Sequence, residues 1–120
     1  MYREIIFQWK DNHVSLNQWY SGKHWTTRVK LKDKWMAFYE GLFNQYDKFC
    51  FDTFQIKVSH NTRLDIDNMI PTCKLCADFM KENGWCIEDD KRYFKKLIIE
   101  VDDELPKNGI KVVISGYETI

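Results

Sequence analysis

Residues 51–82, FDTFQIKVSHNTRLDIDNMIPTCKLCADFMKE, carry the pattern that decides the fold. Phe54, Ile56 and Val58 alternate with Gln55, Lys57 and Ser59, the period of two expected of a half-buried strand. The alternation stops at Asn61. Beyond Asp65-Ile66-Asp67-Asn68 the period lengthens, with Leu75, Cys76, Phe79 and Met80 at helical spacing up to Asn83-Gly84, a common helix stop. Asn68 is a candidate N-cap, and Pro71 is tolerated in a first helical turn. A strand over Phe51–Ser59 therefore passes through an acidic turn into a helix over about Met69–Glu82.

Upstream, Ile5, Phe7 and Trp9 alternate with Ile6, Gln8 and Lys10, which predicts a first strand over Glu4–Lys10. Asp11–Arg28 shows neither period and reads as a long ordered loop rich in aromatics. From about Lys30 to Tyr46, Leu31, Trp35, Phe38, Tyr39, Leu42, Phe43 and Tyr46 form an apolar stripe opposite Lys30, Lys34, Glu40 and Asn44, the pattern of an amphipathic helix. Downstream, Tyr93–Val101 alternates and Ile110–Ser115 is β-branched. Between them, Pro106 and Asn108-Gly109 supply turn residues, so the pair reads as a hairpin. The expected architecture is α+β: a small mixed, mostly antiparallel sheet of about four strands with two helices.

A chain of 120 residues suits one domain, residues 1–120, and 44% hydrophobic with 30% charged residues describes an ordinary globule. The longest apolar runs, such as Leu97-Ile98-Ile99, are far shorter than the roughly 18 residues of a membrane span. The N-terminus turns charged too early for a signal peptide, so no membrane partner and a cytoplasmic location are expected. Reduced thiols are then the default for Cys50, Cys73, Cys76 and Cys86. Cys73 and Cys76 either face inward as core thiols or, with Cys86 and His60, offer zinc a soft ligand set. His13, His24 and His60 have no partner motif and read as surface or loop histidines.

The net charge of zero conceals segregation. Lys23, Arg28, Lys30, Lys32 and Lys34 stand against Asp33 alone, whereas Asp65–Asp90 holds seven acids against Lys74 and Lys81; Lys91, Arg92, Lys95 and Lys96 follow. Such runs are either solvated faces or a cation site set in a surface that tolerates phosphates. Asp65 and Asp67 would point to the same side of an extended chain. At about 6 Å and an effective dielectric near 20 they would repel by roughly 3 kcal/mol, a cost that a divalent cation removes. Asp89 and Asp90 are candidates to return a third carboxylate to that place, and three hard oxygens suit Mg²⁺ or Mn²⁺. The plainer alternative is a polar turn in which Asp67 or Asn68 caps the helix. Lys74 shares a helix face with Asp78, as an ion pair or as a cation aimed at a phosphate.

Taken together, Leu64-Asp65-Ile66-Asp67-Asn68, Lys74, Asp78, Gly84-Trp85 and Asp89-Asp90 before a strand resemble the RusA family of Holliday-junction resolvases, and Ser15-Leu16-Asn17-Gln18-Trp19-Tyr20 is similar to that family's first loop. The resemblance covers nearly the whole chain. It implies a small homodimeric, Mg²⁺-dependent endonuclease, commonly encoded by phages and prophages, that cuts branched DNA by paired nicks in recombination and repair. By the same resemblance Asp65, Asp67 and Asp90 match the essential metal-binding acids, Asp89 is their neighbour, and Lys74 matches the functional lysine once three residues are allowed at the start of the helix. Asn17, Lys23, Arg28, Lys30, Lys34, Lys91 and Arg92 are then candidate DNA contacts, and Trp19, Tyr20 and Trp25 either stack on unpaired bases or pack the loop. The alternative is a RusA-like DNA-binding protein that has lost catalysis.

Overall fold

The alternating residues of 51–60 form β2 (Phe51–His60), with Phe54, Ile56, Val58 and His60 buried. The structure, a computed structural model, describes residues 1–15, 18–19 and 25–120, and the side chains of these other than 25–27. Around β2 lie β1 (Tyr2–Lys10), α1 (Trp25–Phe43), a 3-10 helix (Ile66–Met69), α2 (Ile70–Glu82), β3 (Phe94–Val101) and β4 (Gly109–Glu118). The strands make one sheet in the order β1-β4-β2-β3. The α+β expectation of four mostly antiparallel strands and two helices is what the structure has.

The expected hairpin between the last two strands is not formed. β4 inserts between β1 and β2 and is antiparallel to both, while β3 runs parallel to β2 on the far edge. Turn residues at Asn108-Gly109 reported a reversal correctly, but adjacency depends on which edges remain open. Parallel neighbours require a crossover of a dozen or more residues, and α2 supplies it between β2 and β3.

Cross-strand pairing aligns Ile5 and Ile56 with Ile114, and Phe7 and Val58 with Val112, so one sheet face is continuously apolar. Both helices cover that face. Trp35, Tyr39 and Phe43 of α1 and Leu75, Cys76, Phe79 and Met80 of α2 join the same core, with the Phe43 and Phe79 rings 4.9 Å apart. α1 begins at Trp25, earlier than the apolar stripe showed, because its first turns are mostly polar. α2 ends as its sequence predicts. Gly84 (φ 75°) follows the C-cap Asn83, and Trp85 N–H donates to Met80 O at 2.8 Å, which closes the last turn in the Schellman manner.

Two buried hydroxyls join the layers. Tyr39 Oη donates to Thr72 O at 2.8 Å, and Thr72 Oγ1 accepts from Val14 N at 3.1 Å, so α2 holds both α1 and the segment after β1. The free edge of β1 is closed by Tyr46, whose hydroxyl accepts from Ile6 N and donates to Ile6 O, each at 3.0 Å. Gly116 permits the close β2–β4 approach: a Cβ there would meet the Thr53 carbonyl oxygen and come within 2.7 Å of Phe54 Cα. Because backbone cannot yield as a flexible side chain does, Gly116→Ala should destabilise the fold by about 2 kcal/mol or more. Urea unfolding checks this: the midpoint falls with little change in slope, and an unmoved midpoint would refute the tight pairing.

Candidate functional site

Asp65 leaves β2 in extended conformation (φ −69°, ψ 158°), and Asp67 already lies in the 3-10 helix. The alternation expected to aim both carboxylates to one side therefore does not apply, because the chain coils between them. Neither acts as a cap. The residue before the 3-10 helix, Asp65, makes no side-chain capping bond, and the residue before α2 is Met69 rather than Asn68. Both carboxylates are exposed and, among the described residues, neither has a hydrogen-bond or ion-pair partner. The capping alternative for Asp67 is thereby excluded.

Lys74 lies one turn into α2, exposed, with Nζ 3.7 Å from Asp78 Oδ1. It lines a shallow depression of about 160 Å³ together with Ile70, Ala77, Asp89, Phe94 and Leu97. Asp89 is the acid that burial disturbs. Loss of solvent pushes its carboxyl above the usual carboxylate range, Lys81 opposes the rise, and Asp78 adds to it. Lys81 holds the acidic turn, with Nζ 2.9 Å from Glu88 Oε1 and 3.9 Å from Asp89 Oδ1. Sequence reasoning gave Lys81 no role; its place at the end of α2, where the chain turns back, was the available signal.

Asp90 is engaged differently. Arg92 grips it in a fork, Nη2 to Oδ2 at 2.7 Å and Nε to Oδ1 at 3.1 Å, and the Arg92 amide adds a bond to Oδ1 at 2.9 Å. These bonds hold the Asp90 carboxyl below the usual range. The parallel register sets Phe54 against Phe94 and His60 against Val101, so Asp65, after β2, and Asp90, before β3, belong to opposite ends of the strand pair. The 3-10 helix that carries Asp67 packs against β3. The structure brings Lys74 and Asp89 together and does not bring Asp65 and Asp67 to Asp90. Hard carboxylate oxygens have the donor chemistry for Mg²⁺, but among the described residues no three His, Cys, Asp or Glu side chains stand close enough to share one ion. The arrangement as it stands does not fit a complete ion site.

Of the candidate DNA contacts, Lys30, Lys34, Lys91 and Arg92 are exposed. Arg28 donates from Nε to Trp19 O at 3.0 Å and lies over the Trp19 ring at 5.4 Å, so these two residues pack together. Lys32 joins the helices through Glu82 at 2.7 Å. Asn17, Lys23, Tyr20 and His24 lie outside the described residues, as does the side chain of Trp25. His60, expected at the surface, is fully buried at the end of β2, since the inward alternation runs one residue past Ser59. Cys73, Cys76 and Cys86 are core thiols; burial pushes Cys73 and Cys86 up to about 12 and Cys76 upward as well. Among the described residues no helix is long and apolar enough to cross a membrane. Comparison with known protein families gives no match, and comparison with curated proteins gives none.

Two measurements follow from these environments. A thiol reagent should modify the partly exposed Cys50 first in the native chain and reach Cys73, Cys76 and Cys86 only with unfolding; four thiols reacting together without denaturant would contradict the burial. In Arg92→Ala, which removes the fork and keeps the amide bond, the carboxyl ¹³C titration of Asp90 should move up toward the ordinary carboxylate range. Because the folded state favours ionised Asp90, the stability it contributes is complete above that range and fades as pH falls through its depressed midpoint. The variant should lose that part of the acid-side slope, and an unmoved titration would show that the fork does not form.

Proposed function

We propose that this chain is a metal-dependent endonuclease of the RusA type acting on branched DNA. The observation that carries the reading is the pair of exposed, unpartnered carboxylates, Asp65 and Asp67, where β2 passes into α2. Lys74 follows on the same helix and shares a depression with Asp89. Asp65 and Asp67 would be the chain's oxygens for Mg²⁺, or Mn²⁺ in its place, and the ion would supply Lewis acidity. The chain's own part is electrostatic: the Lys74 ammonium offsets charge on a phosphate, and exposed Lys30, Lys34 and Lys91 meet flanking phosphates. Two copies would match the two-fold symmetry of a four-way junction.

A second reading, a RusA-like protein that binds branched DNA without cutting it, is favoured by one observation. Asp90, a carboxylate that the resemblance assigns to the metal, is committed to Arg92. A labelled four-way junction separates the two. The nuclease should give paired nicks in Mg²⁺ and none in chelator. Asp67→Asn should abolish nicking with binding retained, and Lys74→Ala should lower the rate by about 100-fold, within the range for removal of one charge-stabilising group. Binding without nicking in either Mg²⁺ or Mn²⁺ assigns the second reading, and no affinity even at low salt overturns both.

A further inference from the structure

Three connections meet at the end of the sheet where β1 and β2 finish and β4 begins. Asp11 and His13, Asn61 to Arg63, and Lys107 with Asn108 line a cleft of about 660 Å³ there, within the roughly 300–1,000 Å³ of small-molecule sites. Backbone bonds lock the walls together: Asp11 N to Asn108 O at 3.0 Å, Asn108 N to Asn61 O at 2.8 Å and Asn61 N to Gly109 O at 2.9 Å. Asp11 (φ 68°) and Asn108 (φ 63°) are the non-glycine residues with positive φ among those described, and both line this cleft. Backbone of this kind concentrates at ligand clamps.

Two buried imidazole nitrogens at this end of the sheet lack partners. His13 Nδ1 is buried without a hydrogen bond, and so is Nε2 of fully buried His60. Nδ1 of His60 lies 3.4 Å from the Thr62 amide, which can only donate, and 3.0 Å from Thr62 Oγ1, which itself accepts from Leu64 N. Thr62 thus engages Nδ1, and Nε2 is left without a partner. Burial lowers the pKa of both imidazoles, His13 adding to the effect on His60 and Arg63 to that on His13, with Asp11 opposing the latter. At the rim Arg63 and Lys107 are exposed, and among the described residues neither has an ion-pair partner. Two permanent cations face one carboxylate, Asp11. Metal ions suit this balance poorly. An oxyanion suits it, and a guanidinium fork beside an ammonium matches phosphate oxygens in particular.

We propose that this cleft is a phosphate-binding subsite, with Arg63 and Lys107 as its charged contacts and His13 at its wall. Inorganic phosphate, a nucleotide and a DNA backbone share that chemistry. Arg63 precedes Asp65 by two residues, so if the DNA reading holds, the subsite seats a phosphodiester beside the carboxylates; that extension rests on the proposed function, whereas the subsite itself does not. Amide and imidazole NMR of the labelled chain in chelator, titrated separately with inorganic phosphate and with a short DNA duplex, tests it. Residues 61–63 and 107–108 and the His13 ring should shift with at least one probe. Arg63→Ala with Lys107→Ala should keep the unfolding midpoint and lose those shifts. If the duplex is the ligand, the same pair of substitutions should flatten the salt dependence of binding by about 1.8, at roughly 0.9 per phosphate contact. Shifts with phosphate alone identify a free phosphate or nucleotide; shifts with DNA identify the backbone. No shift with either probe, or unchanged shifts in the double variant, overturns the subsite. Because metal and cleavage play no part, junction nicking without these shifts sinks the subsite alone, and these shifts without nicking sink the nuclease alone.

Discussion

Pairing of β4 with β1 on one side and β2 on the other is the constraint on which the remaining geometry depends. Ten residues near the end of the chain complete both central ladders, so the sheet closes only when nearly the whole chain is present. Their inward side chains, Ile110, Val112 and Ile114, form the middle row of the apolar face that α1 and α2 cover. The contact is close enough at Gly116 that no side chain fits between the backbones. With both edges of β4 occupied, β3 has one place left, the open side of β2, and reaches it in parallel.

That parallel placement governs the candidate site. A crossover helix carries the chain from the end of one strand back to the start of the next, which separates the carboxylates after β2 from those before β3. Proximity is restored only partway, where the acidic turn folds onto α2 and Asp89 comes beside Lys74. Lys81 and Arg92 divide the acids of this turn, Lys81 holding Glu88 and Asp89 near the helix and Arg92 holding Asp90 outside it. Of four aspartates similar in sequence, two are unpartnered, one is destabilised as an anion by burial, and one is stabilised by a fork. Environment separates groups that composition treats alike.

At the end of the sheet where Asp65 and Asp67 lie, Arg63 and Lys107 stand exposed around a cleft with His13 in its wall. Both ends are built from connections, and in both a rigid sheet holds loop residues that lie far apart in the chain, as is common where function resides on loops.

Local periodicity and turn chemistry were legible in the sequence alone. The alternation of Phe54, Ile56 and Val58, the stripe of Leu75, Cys76, Phe79 and Met80, and the stop at Asn83-Gly84 each depend on contacts between near neighbours, and all are found. The pairing partner of β4, the burial of His60, the coiling of the chain at Asp67 and the meeting of His13, Arg63 and Lys107 were not legible. Each is settled by which surfaces remain unfilled after the strands have paired, a property of the assembled sheet and not of any short segment. The residue order thus determined the elements and where the charged groups fall along the chain. Tertiary structure decided which of those groups share a site, because distance across a sheet is set by register and strand order rather than by separation along the chain.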